Sequence, residues 1–354
     1  MIDTRTRIAI VGARGAVGRE LSAILESRGA RDVKLLGRSA CRETGQKRLT
    51  RSRLADRDIV FLCTPSEVSR RWAPLALERG AVVIDNSSAY RLDETTPLVV
   101  PEVNPESIDP DHSRLYANPN CSTILLLLAL APLHRAFGCE RAAVTTYQAA
   151  SGAGAAAMGE LEAATAAALA GRAFAPRVFR EPAAFNCFSH DSAVDPTTGS
   201  NGEEDKIERE SRRILGPQPR VTATCVRVPV LRAHCEAVNL TLTQPVTAAE
   251  ARGILASASG LELIDDTGRN SFPTSLGASG RDAVLVGRVR VDRSQPWEGE
   301  GKGARGFGLH LFLAGDQLRK GAALNAVQIA EAMFPQAASR GEPLTEPALV
   351  AGRS

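Results

Sequence analysis

Arg7-Ile-Ala-Ile-Val-Gly-Ala-Arg-Gly-Ala-Val-Gly18 is a short apolar run closing on a glycine turn, and residues 19–28 continue it with helical spacing. Strand, turn, helix is the order that decides the fold. Glycines at 12, 15 and 18 allow a sharp bend, and they let Gly12, Arg14, Gly15, Ala16 and Val17, at the mouth of the helix, come close to a pyrophosphate. The spacing is G-x-x-G-x-x-G and not the commoner G-x-G-x-x-G, so a tight turn without a ligand is the competing reading. The context favours the nucleotide. Strand-like runs recur at 33–36, 59–63 and 81–84, separated by helical patterns such as 66–79, which is the alternation of a parallel sheet.

An NAD site usually has an acid at the end of its second strand, about 20 residues after the glycines begin, to hold the ribose 2′-hydroxyl. Asp32 has nearly that spacing but precedes the strand, which ends in Gly37-Arg38-Ser39. A guanidinium and a hydroxyl there suit a 2′-phosphate, so NADP is the expected cofactor.

With 354 residues the chain exceeds one small core and fits two domains. A net charge of +3 is too small to imply nucleic acid, and the arginine-rich segment 46–57 has no aromatics for base stacking, so it reads as a solvated face. Seven scattered cysteines without a Cys-x-x-Cys pair argue against a disulfide framework or a metal site and for a reducing cytoplasm. The longest apolar run, 124–132, is under half of the roughly 20 residues that a membrane span needs. No membrane association is expected.

After residue 120 the pattern changes. Strand-like runs at 142–148, 222–231, 238–242, 283–291 and 308–314 partly alternate, and helical segments at 154–170, 203–215 and 248–257 lie between them. The fold class is therefore α/β: a Rossmann-type dinucleotide-binding domain over 1–120, joined by a returning helix at 320–335, plus an α+β substrate-binding and dimerisation domain over 121–319. Its sheet would take helices on one face and another subunit on the other, giving a homodimer or homotetramer. Residues 336–354, rich in Pro, Gly and Ala, read as a loose tail.

Asn118-Pro-Asn-Cys-Ser-Thr123 leads into an all-apolar run. Asn120 is a good N-cap, so Cys121 falls in the first helical turn, where unpaired amides and the macrodipole favour a thiolate. The bland alternative is an ordinary buried cysteine. Four more stretches put polar chemistry among apolar neighbours: 85–91, 146–154, 203–206 and 227–234. Singly they read as a serine-rich loop, a helix-capping turn, a solvated helix face and a histidine at a strand end; their co-occurrence argues for a site.

In this order, over residues 7–334, these stretches closely resemble the aspartate-β-semialdehyde dehydrogenase family. The specific motifs are Asn118-Pro-Asn-Cys-Ser-Thr, Val99-Val-Pro-Glu-Val-Asn104, the loop 148–154 and the spacing of Arg227 to His234. The resemblance implies Cys121 as nucleophile, Gln148 orienting the acyl intermediate and His234 as general acid/base. It implies Arg227 on the substrate α-carboxylate, Glu203 on its amine, Asn120 beside it, and Arg91 with Lys206 on the phosphate. The Gly12 loop, Arg38, Ser39, Ser151, Gly152 and Asn325 would hold NADP, with Asn325 near the nicotinamide. The small-molecule substrate would be aspartyl phosphate, reduced to the semialdehyde by way of a cysteine thioester. The nearest rival is N-acetyl-γ-glutamyl-phosphate reductase, whose usual motif has glycine before the cysteine where this chain has Asn120. A cysteine hydrolase would need no dinucleotide turn, and a non-catalytic paralogue would have no use for Cys121, Gln148, Arg227 and His234 together.

Overall fold

The structure is a computed structural model that describes residues 4–333. The tail expected at 336–354 lies outside the described residues. Six parallel strands form the first sheet: β1 (Arg7–Val11), β2 (Asp32–Gly37), β3 (Lys47–Arg48), β4 (Ile59–Leu62), β5 (Val82–Asp85) and β6 (Leu115–Ala117), in the order β3-β2-β1-β4-β5-β6. Ile8 to Val11 and Ile59 to Leu62 are wholly buried, as central strands covered on both faces must be. Helix α1 (Ala16–Ser27) follows the glycine turn, the short α2 (Arg51–Leu54) precedes β4, and α3 (Ser66–Leu77) leads to β5. The open end of the sheet, at the carboxyl ends of β1 and β4, is where such an order leaves a crevice.

The next helix, α4 (Cys121–Phe137), is apolar on nearly every side because it sits between layers. It packs under a mixed sheet built from β7 (Cys139–Gln148), β8 (Phe188–Ser189), β9 (Arg220–Arg227), β10 (His234–Thr247), β11 (Leu261–Leu263), β12 (Val284–Val291), β13 (Trp297–Glu298) and β14 (Arg305–Gly315). The order is β11-β12-β14-β10-β7-β9-β8, with β13 on β14. Helices α5 (Ala155–Leu169), α6 (Gly202–Leu215), α7 (Ala248–Ser257) and the short α8 (Ser275–Ala278) complete this half; α4, α6 and α7 share one face of the sheet. The opposite face carries Tyr147 and Phe312.

Several elements differ from the sequence reading. β9 ends at Arg227 and not at 231, since Pro229 has no N–H for the ladder. β10 begins at His234 and not at 238, because the polar side chains at 234 and 236 are themselves buried. The single helix expected at 320–335 is a π-helical turn at Arg319–Ala323 followed by α9 (Leu324–Met333), which returns to the first sheet. The segment 46–57 is only partly a solvated face. Gln46 is buried with its Nε2 on the Ser39 carbonyl (2.8 Å), and Arg57 is buried against Asp32 (2.8 Å).

Candidate active site

Asn120 has extended dihedrals, and its Oδ1 accepts from the amides of Ser122 (2.9 Å) and Thr123 (3.3 Å), which starts α4 at Cys121. Its other groups tie that turn to α6. The Asn120 Nδ2 donates to Glu203 (2.8 Å) and its backbone N–H to Glu210 (2.5 Å). The nucleophile candidate is thus rigidly presented, half-buried at the wall of a cavity of about 550 Å³. Free helix amides do not activate it in the way its position suggests. Two of those amides are taken by Asn120, and burial, followed by the nearby Glu203 carboxylate, pushes the Cys121 thiol upward against the pull of Arg91. From the other side the π-helical turn presses in. A Cβ on Gly321 would stand 2.9 Å from the Cys121 Cβ, so only glycine fits there.

Glu203 is the hub of the polar wall. Its carboxylate accepts from Asn120, from Gln148 Nε2 (3.2 Å) and from Lys206 Nζ (3.0 Å). Burial opposes its ionisation, but Lys206, the neighbouring His190 and these donors outweigh that and hold it down to about 2. Arg91 lines the same cavity, giving Nη1 to Glu210 (3.1 Å) and Nη2 to the Asn86 carbonyl (2.9 Å) while its Nε has no partner. The two expected phosphate-binding cations, Arg91 and Lys206, therefore face one cavity with an acid behind each.

His234 is buried, and its Nδ1 accepts from the Ala149 amide (3.0 Å), so the neutral ring carries its proton on Nε2. Burial, then Arg227, pushes its pKa down to about 3. The residue before it, Ala233, is held at φ +71°, with its amide on Gln317 Oε1 (3.0 Å). Such a left-handed alanine costs about 1–3 kcal/mol and persists because its surroundings fix it. Gln317 Nε2 in turn bonds the Ser151 hydroxyl. Arg227 gives its Nε to Asp191 (3.3 Å) and lies over the Phe179 ring, 5.7 Å from its centroid. Between His234 and Arg227 sits Gly152, where a Cβ would be 2.9 Å from His234 Nε2 and 3.3 Å from Arg227 Nη1. Gly152 keeps that gap open.

A second cavity of about 1050 Å³ shares Gly15, Cys63, Thr64 and Pro65 with the first, so one groove runs from Cys121 to Arg38. At Gly12, φ is +87° and a Cβ would meet the Cys63 carbonyl oxygen at 2.1 Å. α1 has no side-chain cap, which leaves its first amides free for a ligand, and Ala16 and Val17 line the groove. An extended dinucleotide fits these features. Arg38 lines the far end, together with Arg48 and Arg71, against a single carboxylate, Glu67. Ser151 and Gly152 line the Cys121 end. Three expected cofactor residues are placed differently. Arg14 and Ser39 are exposed outside the groove lining, and Asn325 is fully buried. Asn325 spends its amide on Val99 O (2.9 Å), Asn118 Oδ1 (2.6 Å) and Lys320 Nζ (2.8 Å), so it reaches the groove only through Asn118.

Glu210, Gln317, Asp191 and Arg48 were not singled out by sequence. Glu210 was within reach of it, since 203, 206 and 210 share a helical face. The other three lie on loops or at a strand edge with no periodic signal.

Comparison with known proteins places the chain in a family. "Semialdehyde dehydrogenase, NAD binding domain" matches residues 7–110, and "Semialdehyde dehydrogenase, dimerisation domain" matches 130–320. An aspartate-semialdehyde dehydrogenase of Prochlorococcus marinus is 42% identical over 94% of this chain and 97% of its own, and one of Synechocystis is 45% identical over 92% and 96%. The crystal structure of aspartate semialdehyde dehydrogenase II of Vibrio cholerae, complexed with ASA, superposes with a TM-score of 0.83 at 39% identity, covering 93% of this chain and 98% of that one. By sequence and by fold, the chain belongs to the aspartate-semialdehyde dehydrogenase family.

Proposed function

We propose that this chain catalyses the NADPH-dependent reductive dephosphorylation of L-4-aspartyl phosphate to L-aspartate 4-semialdehyde, in the cytoplasmic supply of lysine, threonine and methionine. The observation that carries the reading is the convergence on one cavity wall of Cys121, Glu203, Lys206 and Arg91. In this reading residues 1–120, with the helix that returns after 319, bind the nucleotide, and 121–319 bind the substrate.

Cys121 sulfur attacks the acyl carbon; the C–S bond forms, the C–O bond to phosphate breaks, and the thiol proton leaves with the phosphate. Arg91 and Lys206 steady the departing charge. Gln148 holds the resulting thioester, Arg227 pairs with the α-carboxylate and Glu203 with the α-ammonium. NADPH, when bound along the glycine turn, supplies the hydride that reduces the thioester carbonyl. His234, protonated at Nε2, donates to the carbonyl oxygen as charge develops there and takes the proton back as the C–S bond breaks and the aldehyde forms. A proton from solvent restores the thiol.

The test is phosphate-dependent NADP reduction with aspartate semialdehyde against N-acetylglutamate semialdehyde. An acetylated substrate has no cation for Glu203, so the free amino acid should be preferred by about a thousandfold in kcat/KM. Glu203→Gln should narrow the gap by harming the free-amine substrate. Equal use of both aldehydes by the wild-type enzyme would transfer the reading to the N-acetylglutamyl reaction.

A further inference from the structure

Buried polar atoms without partners gather beside the first turn of α4. They are Thr123 Oγ1, Thr146 Oγ1, Gln148 Oε1 and both carboxyl oxygens of Glu236. Thr146 and Gln148 are alternate residues of β7, so they share a face, and Glu236 stands opposite Thr146 on β10, two residues past His234. Ser122, the residue after Cys121, joins the group. Its hydroxyl accepts from Gln148 Nε2 (2.9 Å) and lies within reach of the Glu236 carboxyl, although no bond between those two is well aligned.

No cation answers Glu236 among the described residues. Its cross-strand neighbours are Thr146 on β7 and Leu313 on β14, and α4 brings the Ser122 hydroxyl within reach. The titratable groups around it are thiols: Cys121 on α4, Cys225 on β9 and Cys235 beside it, each of which a negative charge on Glu236 would push upward. Its side chain is fully buried. An unpaired carboxylate in such a place is strongly disfavoured, whereas a carboxylic acid is both a donor and an acceptor for the orphaned hydroxyls.

We propose that Glu236 is a positioning residue, kept as a neutral carboxylic acid whose O–H secures Ser122 and, through it, the Gln148 amide beside Cys121, without setting a second negative charge against the departing thiolate. The inference rests on the reading of Cys121 as nucleophile and of Gln148 as the residue that holds the thioester. A leucine at 236 would leave the hydroxyls and the Gln148 amide free to turn. A glutamine would still donate.

The test compares the full-length wild type with Glu236→Gln and Glu236→Leu. Iodoacetamide labelling of Cys121, followed by peptide mapping across pH, should give the same midpoint in wild type and Glu236→Gln; a midpoint lower by about one unit or more in Glu236→Gln would show that the wild-type side chain is ionised and overturn the proposal. Difference infrared spectra of the same pair should show the carbonyl stretch of a protonated acid at neutral pH, and its absence would equally overturn it. Glu236→Leu should lose about tenfold or more in kcat with KM little changed, while Glu236→Gln retains most of kcat. Wild-type kcat in Glu236→Leu would refute the positioning role. Should Glu236→Leu fail to fold, the midpoint and the infrared band decide. Neither depends on which acyl phosphate is used, so an error in the substrate would appear as absent wild-type turnover with both readouts unchanged.

Discussion

Two histidines, His234 buried and His190 partly buried, flank Arg227, and each is kept neutral by the same causes. Burial, then Arg227, lowers His190 to about 4 and His234 to about 3, both below the ordinary value of about 6.5. Between those values the unfolded chain binds protons that the folded chain refuses. Stability is therefore complete above about pH 6.5 and is lost as pH falls towards 4 and then 3; Glu203, held down to about 2, adds a further loss below its own ordinary value. The melting temperature should fall between pH 7 and pH 5. In His190→Gln, which cannot take up that proton, the fall should be smaller, whatever the variant does to stability at pH 8. Scanning calorimetry over that range is the check, and an unchanged slope would mean that His190 takes up its proton equally in the folded and unfolded protein.

At the scale of elements, the choice between NADPH and NADH is expected at the ends of β2 and β3. Asp32 sits at the start of β2, paired with Arg57, whereas Arg38, just past the carboxyl end of β2, and Arg48, the last residue of β3, line the far cavity. Each charge-assisted contact to a 2′-phosphate is worth about 1.5–3 kcal/mol, or about one to two decades in affinity. NADPH should be preferred to NADH. Arg38→Ala should remove most of that preference and Arg48→Ala part of it, read as the ratio of kcat/KM for the two cofactors; equal efficiency in the wild type would end the argument. Arg38 was legible in the sequence because a strand end has a fixed relation to the glycine turn. Arg48 was not, since a two-residue edge strand has no periodicity to read. The same contrast runs through the site. Cys121 and its Asn120 cap are local, so the order of residues reveals them. Glu236 follows His234 in what looks like an alternating strand, and nothing local says that its face is the buried one. Asn325 was expected at the nicotinamide because its place in the returning helix was legible, whereas the claim of Asn118 and Val99 on its amide comes from loops more than 200 residues away in sequence.

The whole molecule couples its two halves through charge, and the larger sheet leaves aromatic side chains partly exposed on one face. Glu20 on α1 pairs with Arg232 (2.8 Å) and Arg319 (2.5 Å), which in turn pair with Asp316 and Asp282, so the helix that follows the nucleotide turn is tied to the loop ahead of His234. The larger sheet buries one face against α4, α6 and α7, and the other is covered in part, where Ala278 of α8 packs with Cys235, Leu285 and Ala314. On this second face, Tyr147 is 37% exposed and packs against Phe312 with ring centroids 6.3 Å apart. A family domain described as dimerising spans these strands, and a self-complementary face of aromatic side chains is what a twofold interface needs. We propose that this face pairs with itself in a homodimer. Successive residues of β7 point to opposite sides, so Tyr147 would meet the partner while Gln148 faces Glu203 and Ser122. Pairing would then stiffen the strand that carries Gln148. Tyr147→Glu combined with Phe312→Glu sets like charges against each other across the axis, and it should give monomers in sedimentation velocity at micromolar concentration. Turnover should fall by about tenfold or more, because β7 loses its outer support while Cys121 and His234 are untouched. A double variant that sediments like the wild type would place the interface elsewhere; a monomer with full turnover would keep the interface and remove its link to Gln148.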